Sequence, residues 1–229
     1  MPGFDGGLVG DAQTTLPACA EETRLVHVVT EERGFYRFKP DTATLELVGL
    51  LTCEKSGAMP TSMAIDRSGT AWVLYSDETL WKVDIRDASC KPTSYVSGQA
   101  SFVKFGMGFS TNSNGGSTEG LYLSDHFGKG LAALDPKTLG VRMVGPYTGD
   151  LKGTTSELTG TGDGKLYGFF VTSPAQVAEI SKGTGEILNP KSLPGVYPGN
   201  AWAFAFYAGD FFLFTNASGT LPRLSLIHI

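Results

Sequence analysis

Ser124, Asp125 and His126 follow one another in the chain and bring the three groups of a hydrolytic relay: a hydroxyl nucleophile, a carboxylate and an imidazole base. Neighbouring residues of an extended chain point to opposite sides, so this run cannot close a triad by itself. A broader pattern contains it. Thr30-Glu31, Ser76-Asp77, Ser124-Asp125, Thr172-Ser173 and Thr215-Asn216 each place a hydroxyl residue before a polar or acidic one. Two chemistries fit. Brought to one face, Glu31, Asp77, Asp125, His126 and Asn216 would offer a partly acidic ring for a cation such as calcium or for a polar ligand. The same residue types also bond backbone groups in tight turns, and a repeat protein repeats its turn devices. The turn reading carries more weight, and neither a catalytic residue nor a resident cofactor is assigned.

Two further motifs are weaker. Gly160-Thr161-Gly162-Asp163-Gly164-Lys165 is glycine-rich like a phosphate loop, but it lacks the GxxxxGK[ST] spacing, and Lys165 opens a strand where a phosphate loop would open a helix. Asn216-Ala217-Ser218 fits a glycosylation sequon, although Asn216 already has a turn role.

The elements that must position these residues return about every 45 to 50 residues. Ala71-Trp72, Leu121-Tyr122, Leu166-Tyr167 and Phe211-Phe212 mark one strand of successive units, and Val83, Leu134, Ile180 and Leu224 mark the next, with Phe38 in an earlier, incomplete unit. Such a period signals a β-propeller. Apolar runs bounded by Gly, Asp, Asn or Pro give four strands per unit: 62–66, 70–75, 79–84 and 93–96 in the second, 106–110, 120–124, 130–135 and 141–144 in the third, and 156–159, 165–171, 176–180 and 186–188 in the fourth. The first unit supplies only 24–30, 34–39 and 44–48. The expectation is an all-β propeller of four-stranded blades, about five of them visible, with the ring incomplete at the C-terminus. Trp72, Tyr122, Tyr167 and Phe212 then read as layers of core between blades.

On this frame Cys53 follows the outer strand of the first unit and Cys90 approaches that of the second. A Cys53–Cys90 disulfide at the rim is one reading; two buried free thiols, or Cys19 as a rival partner, are the others. No CxxC or Cys/His zinc spacing occurs, so no metal is assigned to the cysteines.

With 41% apolar and 18% charged residues, 30 Gly and 12 Pro, the 229-residue chain suits short strands and many turns. A net charge of -5 without a basic cluster argues against nucleic acid as a partner. No apolar run approaches the roughly 18 residues of a membrane-spanning helix. Residues 1–18 read as a flexible leader or tether, 19–224 as the propeller domain, and 225–229, with His228 among them, as a non-native tail resembling the translated read-through of a sequencing adapter.

The stretches SMAIDRSGTAWVLYSDETLWKVDIRDASC and ELTGTGDGKLYGFF resemble uncharacterised propeller-like lipoproteins of myxobacteria and related bacteria, over residues 19 to 224. The resemblance implies export to the periplasm or cell surface on an upstream lipidated cysteine, which would be the chain's one link to a membrane. No Leu-x-Gly-Cys lipobox is present: Cys19 follows Leu16-Pro17-Ala18. The expected role is that of a monomeric binding or scaffolding module for a protein, glycan or small ligand. The alternative is a propeller lyase or hydrolase working at the axial mouth, with Asp77, Asp125 and His126 as its candidates.

Overall fold

Short runs such as Thr70–Tyr75, with β-branched and aromatic residues between polar turns, are too short to stand alone and must bury both faces against neighbours. The computed structural model describes residues 21–53, 56–199, 201–215 and 223–228. Strands β1 (Val26–Val29), β2 (Gly34–Lys39) and β3 (Thr44–Leu50) form sheet 1. Blade 2 holds β4 (Pro60–Ile65), β5 (Thr70–Tyr75), β6 (Leu80–Asp84) and β7 (Cys90–Pro92), and blade 3 holds β8 (Phe105–Thr111), β9 (Glu119–Asp125), β10 (Leu131–Leu134) and β11 (Val141–Gly145). Blade 4 contains β12 (Ser156–Gly160), β13 (Leu166–Phe170), β14 (Gln176–Ile180) and β15 (Ile187–Ser192), and sheet 5 contains β16 (Trp202–Tyr207), β17 (Asp210–Thr215) and β18 (Arg223–His228). Every paired neighbour is antiparallel.

One hairpin device recurs. Thr30 N–H donates to Gly34 O and Arg33 N–H to Thr30 O, and the same pair of bonds closes the turns at Asp66, Tyr75 and Thr161. It requires a left-handed residue before the second strand, supplied by Gly69 (φ 85°) and Gly164 (φ 90°) but also by Arg33 (φ 68°) and Glu78 (φ 69°).

Between successive sheets lie apolar layers. Trp72 and Leu74 of blade 2 pack with Met107, Leu121 and Leu123 of blade 3, Leu131 and Tyr147 with Leu158 and Phe170 of blade 4, and Phe169 with Phe204 and Phe211 of sheet 5. The result is a propeller-like ring. It is not open after sheet 5, contrary to expectation: Val26, Val28 and Phe38 of sheet 1 pack against Phe212 and Phe214, with the Phe38 ring edge-on to both at 5.7 and 5.2 Å. Each end sheet has an apolar face that would otherwise meet water, and their mutual burial draws the two ends together.

Some strand limits differ from those expected. The outer strand of blade 2 occupies Cys90–Pro92 and not 93–96, because the Thr93 hydroxyl leaves the ladder to donate to Leu80 O at 2.6 Å. That of blade 4 runs on to Ser192 through Pro190, which an irregular outer edge accommodates. The leader expected over 1–18 lies outside the described residues, and β18 includes part of the segment set aside as a tail.

Cys53 and Cys90 are joined by a disulfide with Cα atoms 5.0 Å apart, tying sheet 1 to blade 2 across a sequence separation of 37. Closing such a loop contributes about 3–4 kcal/mol by the chain-entropy estimate.

Inner strands β8 and β12 approach closely at Gly160, where an added Cβ would lie 2.0 Å from Phe109 O and 2.6 Å from Ser110 Cα. Gly162, two residues on, has open space there. Gly160→Ala is expected to lower thermal stability by roughly 1–3 kcal/mol, while Gly162→Ala leaves it within about 0.5 kcal/mol. Parallel melting curves of the two variants check this.

Candidate active site

The pairing registers put four inner-strand residues at one height around the axis: Ser62 opposite Leu74, Gly106 opposite Ser124, Glu157 opposite Phe169 and Ala203 opposite Phe214. Three are small, and the fourth is a glutamate. Its side chain uses the room left by the others. Glu157 reaches past the inner strand of blade 3 to blade 2, where Ser62 Oγ donates to Glu157 Oε2 at 3.2 Å. The Met107 amide donates to the same Ser62 oxygen at 3.0 Å. Ser62 is thereby held as a donor to the carboxyl.

Glu157 is only partly buried as a residue, yet its carboxyl is desolvated. Burial pushes it from the ordinary 4.5 up to about 8, against hydrogen bonds from Ser62 and the Met107 and Leu158 amides that pull it down. At neutral pH the group is an acid with a proton to give. Next to it, Ser156 Oγ bonds Ser124 Oγ at 2.9 Å and Tyr147 OH at 3.3 Å. Burial raises the Tyr147 phenol to about 12, so it stays protonated.

At the next height lie Ala64, Gly108, Thr159 and Ala205, which line an axial cavity of about 250 Å³. Met63, Met107, Phe109 and Phe206 form its apolar walls. Sheet 1 contributes His27, which is 8% exposed and stacks on Phe35 with ring centroids 5.5 Å apart. Its Nδ1 lies 3.1 Å from Leu25 O and so carries the hydrogen, leaving Nε2 as an acceptor. Burial lowers the His27 pKa to about 4, so the ring is neutral at pH 7.

The turn residues singled out from the sequence serve backbone groups. Asp77 Oδ1 accepts from the Thr79 amide at 3.1 Å and its hydroxyl at 2.7 Å. Asp125 is fully buried, and its Oδ2 accepts from the Phe127 and Lys129 amides, both at 3.0 Å. His126 is exposed, its ring edge-on to Phe127, and Glu31 is exposed on its own turn. Asn216 lies outside the described residues. Among the described residues no three His, Cys, Asp or Glu side chains gather as a metal site. Glu157, Ser62 and His27 were missed by the sequence reading. The signal for Glu157 was available: with the inner strands aligned by their partners, Ser62, Gly106 and Ala203 set off one carboxylate.

No family model matches the sequence, and no curated protein matches it either. Among solved structures it is similar to the glutaminyl cyclase of Myxococcus xanthus, at 16% identity over 85% of this chain and 87% of that one, with a TM-score of 0.56. A luciferin-regenerating enzyme is similar at 13% identity over 88% and 72%, with a TM-score of 0.51. A gluconolactonase from Xanthomonas campestris is similar at 14% over 81% and 63%, with a TM-score of 0.50. These likenesses show the propeller fold.

The raised Glu157 pKa links folding to pH with a definite sign. Between 4.5 and about 8 the unfolded chain releases this proton while the folded one keeps it. The contribution is therefore complete below 4.5 and is lost as pH rises through about 8. Denaturant titrations across this window should show stability falling with pH in the parent and a markedly shallower fall in Glu157→Gln.

Proposed function

We propose that the chain belongs to a propeller enzyme that carries out acid–base chemistry, as a hydrolase or lyase, on a small polar substrate at the axis. Glu157 gives and takes the proton, and Ser62 orients its carboxyl. The observation that carries this reading is the placement of Glu157: a desolvated carboxyl one residue height from the lining of the axial cavity, held by the Ser62 hydroxyl and the Met107 and Leu158 amides, with a pKa pushed up to about 8. A general acid works best with a pKa near the operating pH, which an ordinary carboxylate does not have. Burial of Tyr147 and the Ser124–Ser156 pair beside it keeps the surroundings polar but dry, a setting that strengthens interactions with developing charge. Two of the similar structures are named for acting on a glutaminyl group and on a gluconolactone, which supports an enzyme over a scaffold and suggests substrates of that size.

A second reading, ligand binding at the turn face with Glu31, Asp77, Asp125, His126 and Asn216, is favoured by one observation. Asp125 Oδ1 is buried and has no hydrogen-bond partner among the described residues. A cation or polar donor from outside would satisfy it. Export to the periplasm or cell surface is part of the same proposal. The Cys53–Cys90 disulfide supports it, since cytosolic thiols are kept reduced.

Purified protein should hydrolyse glucono-lactone or cyclise a glutaminyl dipeptide. Glu157→Gln should lower kcat by about 10²- to 10⁴-fold on whichever substrate is turned over, with folding intact by circular dichroism. No turnover of either, or an unchanged kcat in the variant, would count against the acid–base reading.

A further inference from the structure

Inner strands have one edge without a strand partner, and at the axis two hydroxyls take up amides on that edge. The Met107 amide of β8 donates to Ser62 Oγ at 3.0 Å, and the Phe206 amide of β16 donates to Thr159 Oγ1 at 3.1 Å. A hydroxyl that accepts still has one hydrogen to give. Ser62 gives its hydrogen to Glu157 Oε2 at 3.2 Å. Thr159 stands one height lower, in the lining of the axial cavity, and its hydroxyl donates to no acceptor among the described residues. The Phe206 amide holds this oxygen in place, so the hydrogen is presented to the cavity by a fixed side chain.

The rest of the lining decides what can reach that hydrogen. Ala64, Gly108 and Ala205 share the height with Thr159 and leave a space of about 250 Å³ beside it. An apolar cavity of about 150 Å³ takes benzene, so this one admits a compact molecule of roughly ten non-hydrogen atoms. Met63 and Met107 form part of its walls, and methionine adapts to the shape of what it touches. The His27 imidazole in the lining is uncharged at pH 7, since burial lowers its pKa to about 4. Among the described residues the lining offers no carboxylate, ammonium or guanidinium to balance an ion, and burying an unpaired charge is costly.

We propose that the axial cavity binds an uncharged, compact molecule with an apolar body and one carbonyl acceptor, a lactone or lactam in chemical class, and that Thr159 determines this specificity by donating a hydrogen bond to that carbonyl. The apolar walls supply the affinity, and the fixed hydroxyl rejects molecules of the same shape that lack the acceptor. That the bound molecule is also the substrate rests on the acid–base reading, which this narrows to a neutral carbonyl compound. The binding site itself does not depend on that reading, because the Thr159 contact does not involve the Glu157 carboxyl.

The probe is ε-caprolactam, titrated into the full chain with ¹³C-labelled methionine methyls, the Met63 and Met107 signals being assigned by their loss in Met63→Leu and Met107→Leu. Saturable shifts of both are expected. The charged, ring-opened ε-aminocaproate should move neither. Thr159→Val, which keeps the volume and loses the hydroxyl, should weaken lactam binding about tenfold, and Thr159→Ser should restore it. Because Thr159→Val also frees the Phe206 amide, ε-thiocaprolactam on the parent gives a second readout that needs no variant: its shape is the same and its acceptor is much weaker, so it should bind less tightly. Absence of saturable shifts at Met63 and Met107 overturns the proposal, as does equal binding of ε-aminocaproate, or of the lactam by parent and Thr159→Val. Turnover plays no part in these readouts. Loss of kcat in Glu157→Gln without lactam binding by the parent would overturn the site and keep the acid–base reading, and lactam binding with kcat unchanged in Glu157→Gln would do the reverse.

Discussion

Inner strands β8 and β12 lie almost backbone to backbone, and the rest of the axial architecture depends on that approach. An added Cβ at Gly106 would stand 2.4 Å from Ser156 O and 2.9 Å from Glu157 Oε2, and one at Gly108 would meet Leu158 at 2.8 Å. Without side chains at these points blade 4 can close on blade 3, and the Glu157 carboxyl can lie over Gly106 on its way to Ser62. The same closeness excludes the water that would otherwise hold the carboxylate charged. Packing at two glycines and the chemistry of one acid are thus a single constraint. A side chain at Gly106 would either push the blades apart or displace the carboxyl.

Ring closure follows from the same economy of surface. Each sheet is apolar on both faces, so every sheet needs two neighbours. Sheets 1 and 5 have three strands each, but the aromatic face of β17 and the Val26–Val28 face of β1 satisfy one another. What this packing leaves at the axis is polar: the Glu157 carboxyl, one height above the cavity. The disulfide fixes sheet 1 to blade 2 near the rim, packed among Leu51, Ile85 and Ala88, while Leu45, Leu47 and Leu50 of β3 are exposed.

The propeller-like repeat was legible because it is local. Hairpins closed by a left-handed residue and the Asp77 and Asp125 turn acceptors act within a few residues of themselves, and the Trp72, Tyr122 and Tyr167 positions recur once in each blade. The closed ring was not legible, since the contact of Phe38 with Phe212 and Phe214 joins chain segments that nothing in the periodicity relates. Glu157 was hidden for a related reason: its partner Ser62 is 95 residues away, and a lone carboxylate on a strand looks like a solvated face until the strands are placed around an axis. Repetition marks what the fold needs from every blade. The candidate site lies where the blades differ, at Ser62, Gly106, Glu157 and Ala203, and a reading tuned to repeats passes over it.

The axis holds Glu157 protonated at neutral pH. The most direct test of this is a ¹³C NMR titration of the glutamate side-chain carboxyls, with the Glu157 signal assigned by its loss in Glu157→Gln. The account predicts a midpoint at about 8 for that signal, set by desolvation beside Gly106. A midpoint near 4.5, the ordinary value for a glutamate, would mean that water reaches the carboxyl and would contradict it.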